Sequence, residues 1–346
     1  MYNKILVAID GSRASLAGGN IALKLAATHG STIVAVNVFD AQIHTRRFNE
    51  METILPGQYR EDDSEEQLRE VHNVWTNEGF LALSKKRIAP YLAMCRNAGI
   101  EPVEINRQGR NYVELIESAN EEGVDLIVMG AAGLGALNGD LGSTAARVLR
   151  GASCDVLLVR KELNGGGVMV GIDGSEEAMH ALERAEALSE VFNGDLALAA
   201  VYDPYFHNRV LESLEEASST YETSYHSHIY KAVEEHGDSQ NYGGAHTAVK
   251  EKESEGEGHD QMVDEGLARL YDSFLTKAEE RISSSPRRQL LKGKPYQQLA
   301  DYGKEITADL IVVGRNGLHK TDESSLGSNA EGALRLSDTN FLVVRN

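Results

Sequence analysis

Two cysteines, Cys95 and Cys154, are all that 346 residues contain. So few thiols exclude a disulfide framework and fit a reducing compartment. Positive charge is also scarce: 53 acidic side chains against 34 basic ones leave a formal net charge of -19. Nucleic acids and anionic membranes need a basic face, so neither is expected as a partner. No apolar run approaches the roughly 18 residues that a membrane span requires. The opening "MYNKILVAID" runs straight into an apolar strand, without a charged-then-apolar leader. Together these absences predict a soluble, cytoplasmic protein. Two nucleotide signatures are missing as well. There is no G-x-x-x-x-G-K-[ST] loop, and "GLGALNG" does not follow the first strand, where a dinucleotide fingerprint must sit.

What the chain does have is itself, twice. "KILVAIDGS" (Lys4 to Ser12) returns as "GVMVGIDGS" (Gly167 to Ser175), and "DLIVMGAAG" (Asp125 to Gly133) returns as "DLIVVGRNG" (Asp309 to Gly317). "HNVWTNEGFLAL" from His72 answers "HDQMVDEGLARL" from His259, and the closing "CDVLLVRK" answers "TNFLVVRN". The same elements recur in the same order, so this is a tandem duplication. Two long units are too few for a solenoid. The expected domains are residues 1–162 and 163–346, joined at "LNGGG" (Leu163 to Gly167). A hydrophobic content of 41% with 25% charged residues is ordinary for globular domains.

Within the first half, "ILVAI" is a short continuous apolar run, as a parallel strand buried on both faces should read. The helical pattern after it opens on a capping serine and ends on Gly30. "TIVAVNVF" reads as a second strand. A long helical pattern follows, in which Pro90 marks a kink or break. A more polar strand, a helix, the strand "DLIVMG", a glycine loop, a short helix and "DVLLVR" complete the half. Alternating strands and helices give an α/β fold with a parallel sheet covered on both faces. The expected architecture is two Rossmann-like, doubly wound domains. Each would be a five-stranded parallel sheet of order 3-2-1-4-5, with ligands at the carboxyl ends of strands 1 and 4.

The glycines after strand 4 carry the chemistry. A glycine there lets the backbone approach a phosphate or sugar, and a second permits a tight turn. A third, followed by a hydroxyl residue at a helix start, offers backbone N–H groups and an O–H to an anion. The second half reads Gly314-x-x-Gly317, nine residues, Gly327-Ser328; the first reads Gly130-x-x-Gly133, eight residues, Gly142-Ser143. This G-x-x-G-x(9)-G-[ST] pattern, with an aspartate closing strand 1, resembles the universal stress protein family in a tandem two-domain form. The resemblance covers nearly the whole chain apart from the insertions after strand 2, the longer of them at about 205–260. It implies binding of an adenine nucleotide, ATP or AMP/ADP, possible Mg²⁺, and a stress-response regulatory role. Asp10 and Asp173 match the adenine-side aspartate, and Val38 and Val201 the strand 2 valine whose backbone holds the base. Gly130 and Gly133, or Gly314 and Gly317, match the glycines under ribose and phosphates. Gly142, Ser143 and Thr144, or Gly327, Ser328 and Asn329, match the phosphate-binding helix start. The second site is favoured, because the first departs by one residue in spacing. The first loop also lacks a cation, whereas the second has Arg315, His319 and Lys320. Asp322 and Glu323 in that loop would repel a triphosphate unless Mg²⁺ intervenes. The halves are expected to form an internal pseudo-dimer, with a homodimer of tandem chains as a further state.

Histidines repeat too. His44 pairs with His207 and His72 with His259. Imidazoles and carboxylates near one strand end could hold a divalent metal, Zn²⁺ or Fe²⁺. The alternative is capping or hydrogen-bonding histidines, since no H-E-x-x-H spacing appears. Three functions therefore stand side by side: a nucleotide-binding regulator, a slow ATPase, and a metal-binding stress protein that takes no nucleotide. The first is favoured over an enzyme, because no residue is placed as a general base beyond the ambiguous Asp322 and Glu323.

Overall fold

The computed structural model describes residues 1–40, 71, 78–133, 141–163, 165–205, 256–317 and 326–345, with the backbone alone for 256–262. The chain forms two compact units, Met1–Asn164 with Asp338–Asn346, and Gly165–Ser337. The break falls two residues beyond the 162/163 boundary expected from the repeat. The final nine residues fall in the first unit rather than the second.

The first unit begins with β1 (Lys4–Ala8), α1 (Arg13–His29), β2 (Thr32–Phe39) and α2 (Phe80–Asn97). It continues with β3 (Val103–Gln108), α3 (Asn111–Glu122), β4 (Leu126–Gly130), α4 (Ser143–Gly151) and β5 (Asp155–Val159). Its strands run in the order β3-β2-β1-β4-β5, every one of these pairings parallel. The registers Ile5↔Leu126 and Val7↔Val128 set β1 directly beside β4. Ile5, Leu6 and Val7 are fully buried, because helices cover both faces of the central strand. β3, at the edge, is the polar strand the sequence suggested, with no fully buried residue.

Local signals fix the helix ends. The Ser12 side chain accepts a hydrogen bond from the Ser15 N–H at 3.1 Å and caps α1. At the other end Gly30 takes a left-handed φ of 73° and donates to the Ala26 carbonyl. Pro90 does not break α2, which runs unbroken from Phe80 to Asn97 with the proline on its exposed side.

The second unit contains β6 (Val168–Gly171), α5 (Glu176–Phe192), β7 (Leu196–Tyr202), α6 (Gly256–Arg281) and β8 (Arg287–Lys292). It is completed by α7 (Pro295–Glu305), β9 (Leu310–Gly314) and α8 (Ser328–Leu336). Its strands run β8-β7-β6-β9, all parallel, the same arrangement as β3-β2-β1-β4. The strand expected to be fifth here, β10 (Asn340–Val344), lies in the first unit. The cause is pairing: β10 runs antiparallel to β5, with Phe341 opposite Leu158 and Val343 opposite Val156. Its apolar residues are buried, and in strand order β10 follows β9, so the second half's own strands read β8-β7-β6-β9-β10.

In both units the chain leaves β2 or β7 for the edge, then returns past the central strand to β4 or β9. That reversal opens a crevice between the carboxyl ends of strands 1 and 4. Each unit is therefore a Rossmann-like α/β fold with its crevice where a ligand belongs.

Candidate functional site

Each crevice starts from the Asp-Gly-Ser turn that closes the central strand. In the first unit the Asp10 Oδ1 accepts from the Ser12 N–H at 2.8 Å, and Gly11 adopts a φ of 84° that only glycine takes without strain. In the second, Asp173 Oδ1 accepts from the Ser175 N–H at 3.0 Å and from its Oγ at 2.6 Å; Gly174 has a φ of 85°. Each aspartate thus spends one oxygen on the turn. The other, Oδ2, faces the second glycine of the opposing motif. A Cβ on Gly133 would lie 3.2 Å from Asp10 Oδ2, and one on Gly317 only 2.5 Å from Asp173 Oδ2. The second glycine is needed because an aspartate occupies the space where its side chain would go.

The first glycine has a different reason from the one the sequence suggested. A Cβ on Gly314 would meet Glu177 Cβ at 2.8 Å and its carbonyl carbon at 2.9 Å. A Cβ on Gly130 would meet Ala14 Cβ at 3.1 Å. These glycines line the crevice, but their missing side chains make room for the first turn of α5 or α1, not for a ligand.

Beyond strand 4 the chain returns to place a helix start at the crevice. The Gly142 N–H donates to the Ala131 carbonyl at 2.8 Å, and the Gly327 N–H to that of Arg315 at 2.9 Å. The first helical bonds then come from Ala146 to Gly142 and from Glu331 to Gly327, each 2.9 Å. The helix starts therefore differ sharply within each unit. α1 and α5 are capped by Ser12 and Ser175, whereas α4 and α8 begin on glycines that can supply no side-chain cap. The opening N–H groups of α4 and α8 are turned to the crevice with the positive end of the helix dipole.

The first crevice encloses a cavity of about 570 Å³, lined by Asp10, Val38, Gly130, Gly133, Gly142, Ser143 and Thr144. The second encloses about 400 Å³, lined by Asp173, Val201, Gly314, Gly317, Gly327, Ser328 and Asn329. All fourteen residues selected for this role from the sequence come together in two matching sets. The repeated histidines have a different fate. His44, His72 and His207 lie outside the described residues, and of His259 only the backbone, in α6, is described. Among the described residues no three His, Cys, Asp or Glu side chains converge on a metal position. His319, Lys320, Asp322 and Glu323 also lie outside the described residues, while Arg315 lines the second cavity and is only 4% exposed.

The sequence reading passed over several lining residues. Arg87 of α2 and Asn37 of β2 line the first cavity, and Tyr271 of α6 lines the second. Asn37 is buried; its amide donates to the Ile9 carbonyl, and its Oδ1 accepts from Ser84 Oγ at 2.6 Å. Burial, then the charges of Asp173 and Asp203, push the Tyr271 hydroxyl above its ordinary range. A signal for α2 and α6 did exist. The phrases from His72 and His259 extend to Arg87 and Phe274 at the same spacing.

Comparison with known proteins agrees with this architecture. The sequence pattern of the universal stress protein family matches residues 1–160 and again 167–345. A protein of Staphylococcus haemolyticus named as a universal stress protein is 27% identical over 164 residues, 46% of this chain and 86% of its own length. The crystal structure of a universal stress protein from Archaeoglobus fulgidus covers 99% of this chain and 98% of its own, at 18% identity and a TM-score of 0.55. A second structure, from Pseudomonas aeruginosa, aligns over 99% of this chain and 93% of its own, at 15% identity and a TM-score of 0.57. At such identities the two structures speak for the fold alone. Two matches of one family pattern, over residues 1–160 and 167–345 and laid over two copies of the same crevice, mean that this chain belongs to the universal stress protein family in its tandem form.

Proposed function

We propose that this protein is a cytoplasmic regulator that binds an adenine nucleotide, ATP or AMP, in the crevices between strands 1 and 4. One observation carries the reading. In each unit a helix start without a side-chain cap faces the same cavity as the strand 1 aspartate. Bare N–H groups at a helix start suit phosphate oxygens. Asp10 or Asp173, with one oxygen already fixed by its turn, keeps the other for donors on the ligand, as an exocyclic amine or ribose hydroxyl would supply. The apolar wall formed by Val201, Ala199 and Leu299 in the second unit suits the flat face of a base. Cavities of about 570 and 400 Å³ fall within the span of small-molecule sites.

The preference for the second cavity rests on its nine-residue glycine spacing and on the cations Arg315, His319 and Lys320, of which His319 and Lys320 lie outside the described residues. Among the described residues no helix is long and apolar enough to cross a membrane.

Titration calorimetry of the full chain with ATP and AMP tests the proposal, with Asp10→Asn and Asp173→Asn as variants. Asparagine keeps the Oδ1 acceptor of the turn but removes the charge. Heat in the unmodified chain, weakened in each variant with its fold intact, supports the reading. An absence of heat, with no nucleotide among the small molecules that co-purify, removes it.

A further inference from the structure

An arginine lines each cavity, Arg87 in the first and Arg315 in the second, so charge does not set the two apart. The wall supplied by α2 and α6 does. The spacing that pairs His72 with His259 sets Ser84 against Tyr271 and Arg87 against Phe274. Likewise Asn37 of β2 answers to Ala200 of β7, and Asn106 of β3 to Leu290 of β8. Each strand pair keeps its members side by side, Asn37 opposite Asn106 and Ala200 opposite Leu290. In the first unit Ser84 bonds to both asparagines, and Ser84 and Asn37 are buried. In the second unit all three positions are apolar or aromatic. No buried amide there requires a partner, and the α6 residue at the place of Ser84 is Tyr271, which lines the cavity. Among the described residues no aromatic side chain lines the first cavity.

The Tyr271 ring is held in place by its neighbours. Its centre lies 5.3 Å from that of Phe274 and 6.3 Å from that of Tyr202, with the planes tilted by 60° and 46°. Such tilted pairs are favourable, and both partners are buried. Phe274 in turn packs on Gly174, where a Cβ would lie 2.8 Å from its ring. The aromatic cluster is thus braced against the turn that carries Asp173. On the other side stand Leu299 and Pro295 of α7. The crossover from β7 to β8 runs outward along the sheet and that from β8 to β9 runs back, so right-handed connections place α6 and α7 on opposite faces. The second cavity is therefore a slot with an aromatic ring on one side and an aliphatic wall on the other.

We propose that Tyr271 sets the base specificity of the second cavity: its ring packs against the base of a bound nucleotide, with Leu299 on the opposite side, and so favours purines over pyrimidines by ring area. This rests on the proposed adenine-nucleotide function. A flat face gains attraction with every ring atom it covers, whereas an acceptor such as Asp173 finds an exocyclic amine on adenine and cytosine alike. Stacking a base on an aromatic side chain is worth about tenfold in affinity or more. The first cavity, with Ser84 at the matching position, lacks this contact and distinguishes purine from pyrimidine less sharply.

Calorimetry of the full chain with AMP and CMP tests it, because cytosine keeps the exocyclic amine and loses one ring. The unmodified chain is expected to show a site that prefers AMP to CMP by about tenfold. Tyr271→Ser, which installs the residue of the first unit, should weaken AMP at that site by about tenfold and bring the two ligands close together. Tyr271→Phe keeps the ring and should keep the preference. A second measurement does not depend on how the variants fold. Nuclear Overhauser contacts should join the base protons of bound AMP to a tyrosine ring of the unmodified chain, and that ring's signals should vanish in Tyr271→Phe. An unchanged AMP-to-CMP ratio in Tyr271→Ser, or the absence of that contact, overturns the inference and leaves nucleotide binding standing. No binding of any adenine compound to the unmodified chain overturns the inference and the proposed function together.

Discussion

Gly314 ends its strand against the first turn of α5 so closely that a Cβ would lie 2.8 Å from that of Glu177. The neighbouring contacts, 2.9 Å to the Glu177 carbonyl carbon and 3.1 Å to the Ala178 nitrogen, are to backbone that cannot swing aside. Gly314→Ala should therefore destabilise the second unit by about 1–3 kcal/mol through overpacking, and Gly314→Val by more. Gly130→Ala should cost less, since its tightest contact is 3.1 Å, to the Cβ of Ala14. Denaturant unfolding of the two alanine variants measures the difference. Equal stabilities would mean that the strand end shifts to make room for the added methyl. A loss of ligand binding in Gly314→Val consequently says nothing about phosphate contact, and the aspartate variants are the cleaner probes.

The turn before α5 makes a second, independent prediction. Ser175 is nearly buried; its Oγ donates to Asp173 and accepts from the Ala178 N–H at 3.1 Å. Ser175→Ala removes both and should cost about 1 kcal/mol, the ordinary worth of a helix cap. Asp173→Asn should cost less, because its oxygen still accepts from the Ser175 N–H. A reversed order in thermal unfolding would show that the charge of Asp173, not its geometry, holds the turn.

Both thiols should be slow to react in the folded protein. Burial, and then the neighbouring Asp155 carboxylate, push the Cys154 thiol up to about 12. Cys95 is fully buried and is also shifted upward, chiefly by burial. Because only the thiolate attacks, Cys154 at pH 8 should be alkylated roughly a thousandfold more slowly than a free thiol. Its rate should rise about tenfold per pH unit well past pH 9, where a free thiol has levelled off. Intact-mass measurement after iodoacetamide treatment should show no adduct on the native chain and two after guanidinium unfolding. Prompt native labelling at Cys154 would mean that its cover opens readily.

How far these features could be read without coordinates depended on the range of the forces behind them. The buried strands "ILVAI" and "DLIVVG", the serine caps at Ser12 and Ser175 and the Gly30 terminus rest on local chemistry, and they stand where the sequence put them. The lining residues were legible because duplication wrote each motif twice. What the repeat could not convey was any place where the halves differ. Arg87 and Phe274 sit at matching positions and do unlike things, and a search for sameness overlooks them. Nor could it show which way a missing side chain points, so Gly314 was read as open toward a ligand when it is open toward a helix. The placement of β10 was hidden for a third reason. An apolar run such as "NFLVV" states that a strand is buried, not which neighbour buries it.

That last strand offers the strongest test of how the units divide. Phe341 is wholly buried opposite Leu158 of β5. Polar contacts pin both ends of the pairing. Asn340 Oδ1 accepts from the N–H groups of Arg160 and Lys161 at 2.8 and 3.1 Å. The Arg345 N–H donates to Asp155 Oδ1 at 2.7 Å, while the Tyr2 hydroxyl holds Oδ2 at 2.8 Å. Truncating a buried phenylalanine costs about 3–5 kcal/mol through lost burial and the cavity left behind. If β10 serves the first unit, Phe341→Ala should speed hydrogen exchange in β5 and the neighbouring β4, both far earlier in the sequence. The amides of β7 and β8 should keep their protection. Faster exchange confined to the second unit, with β5 unmoved, would assign the strand to the half that encodes it and return the chain to two self-contained domains.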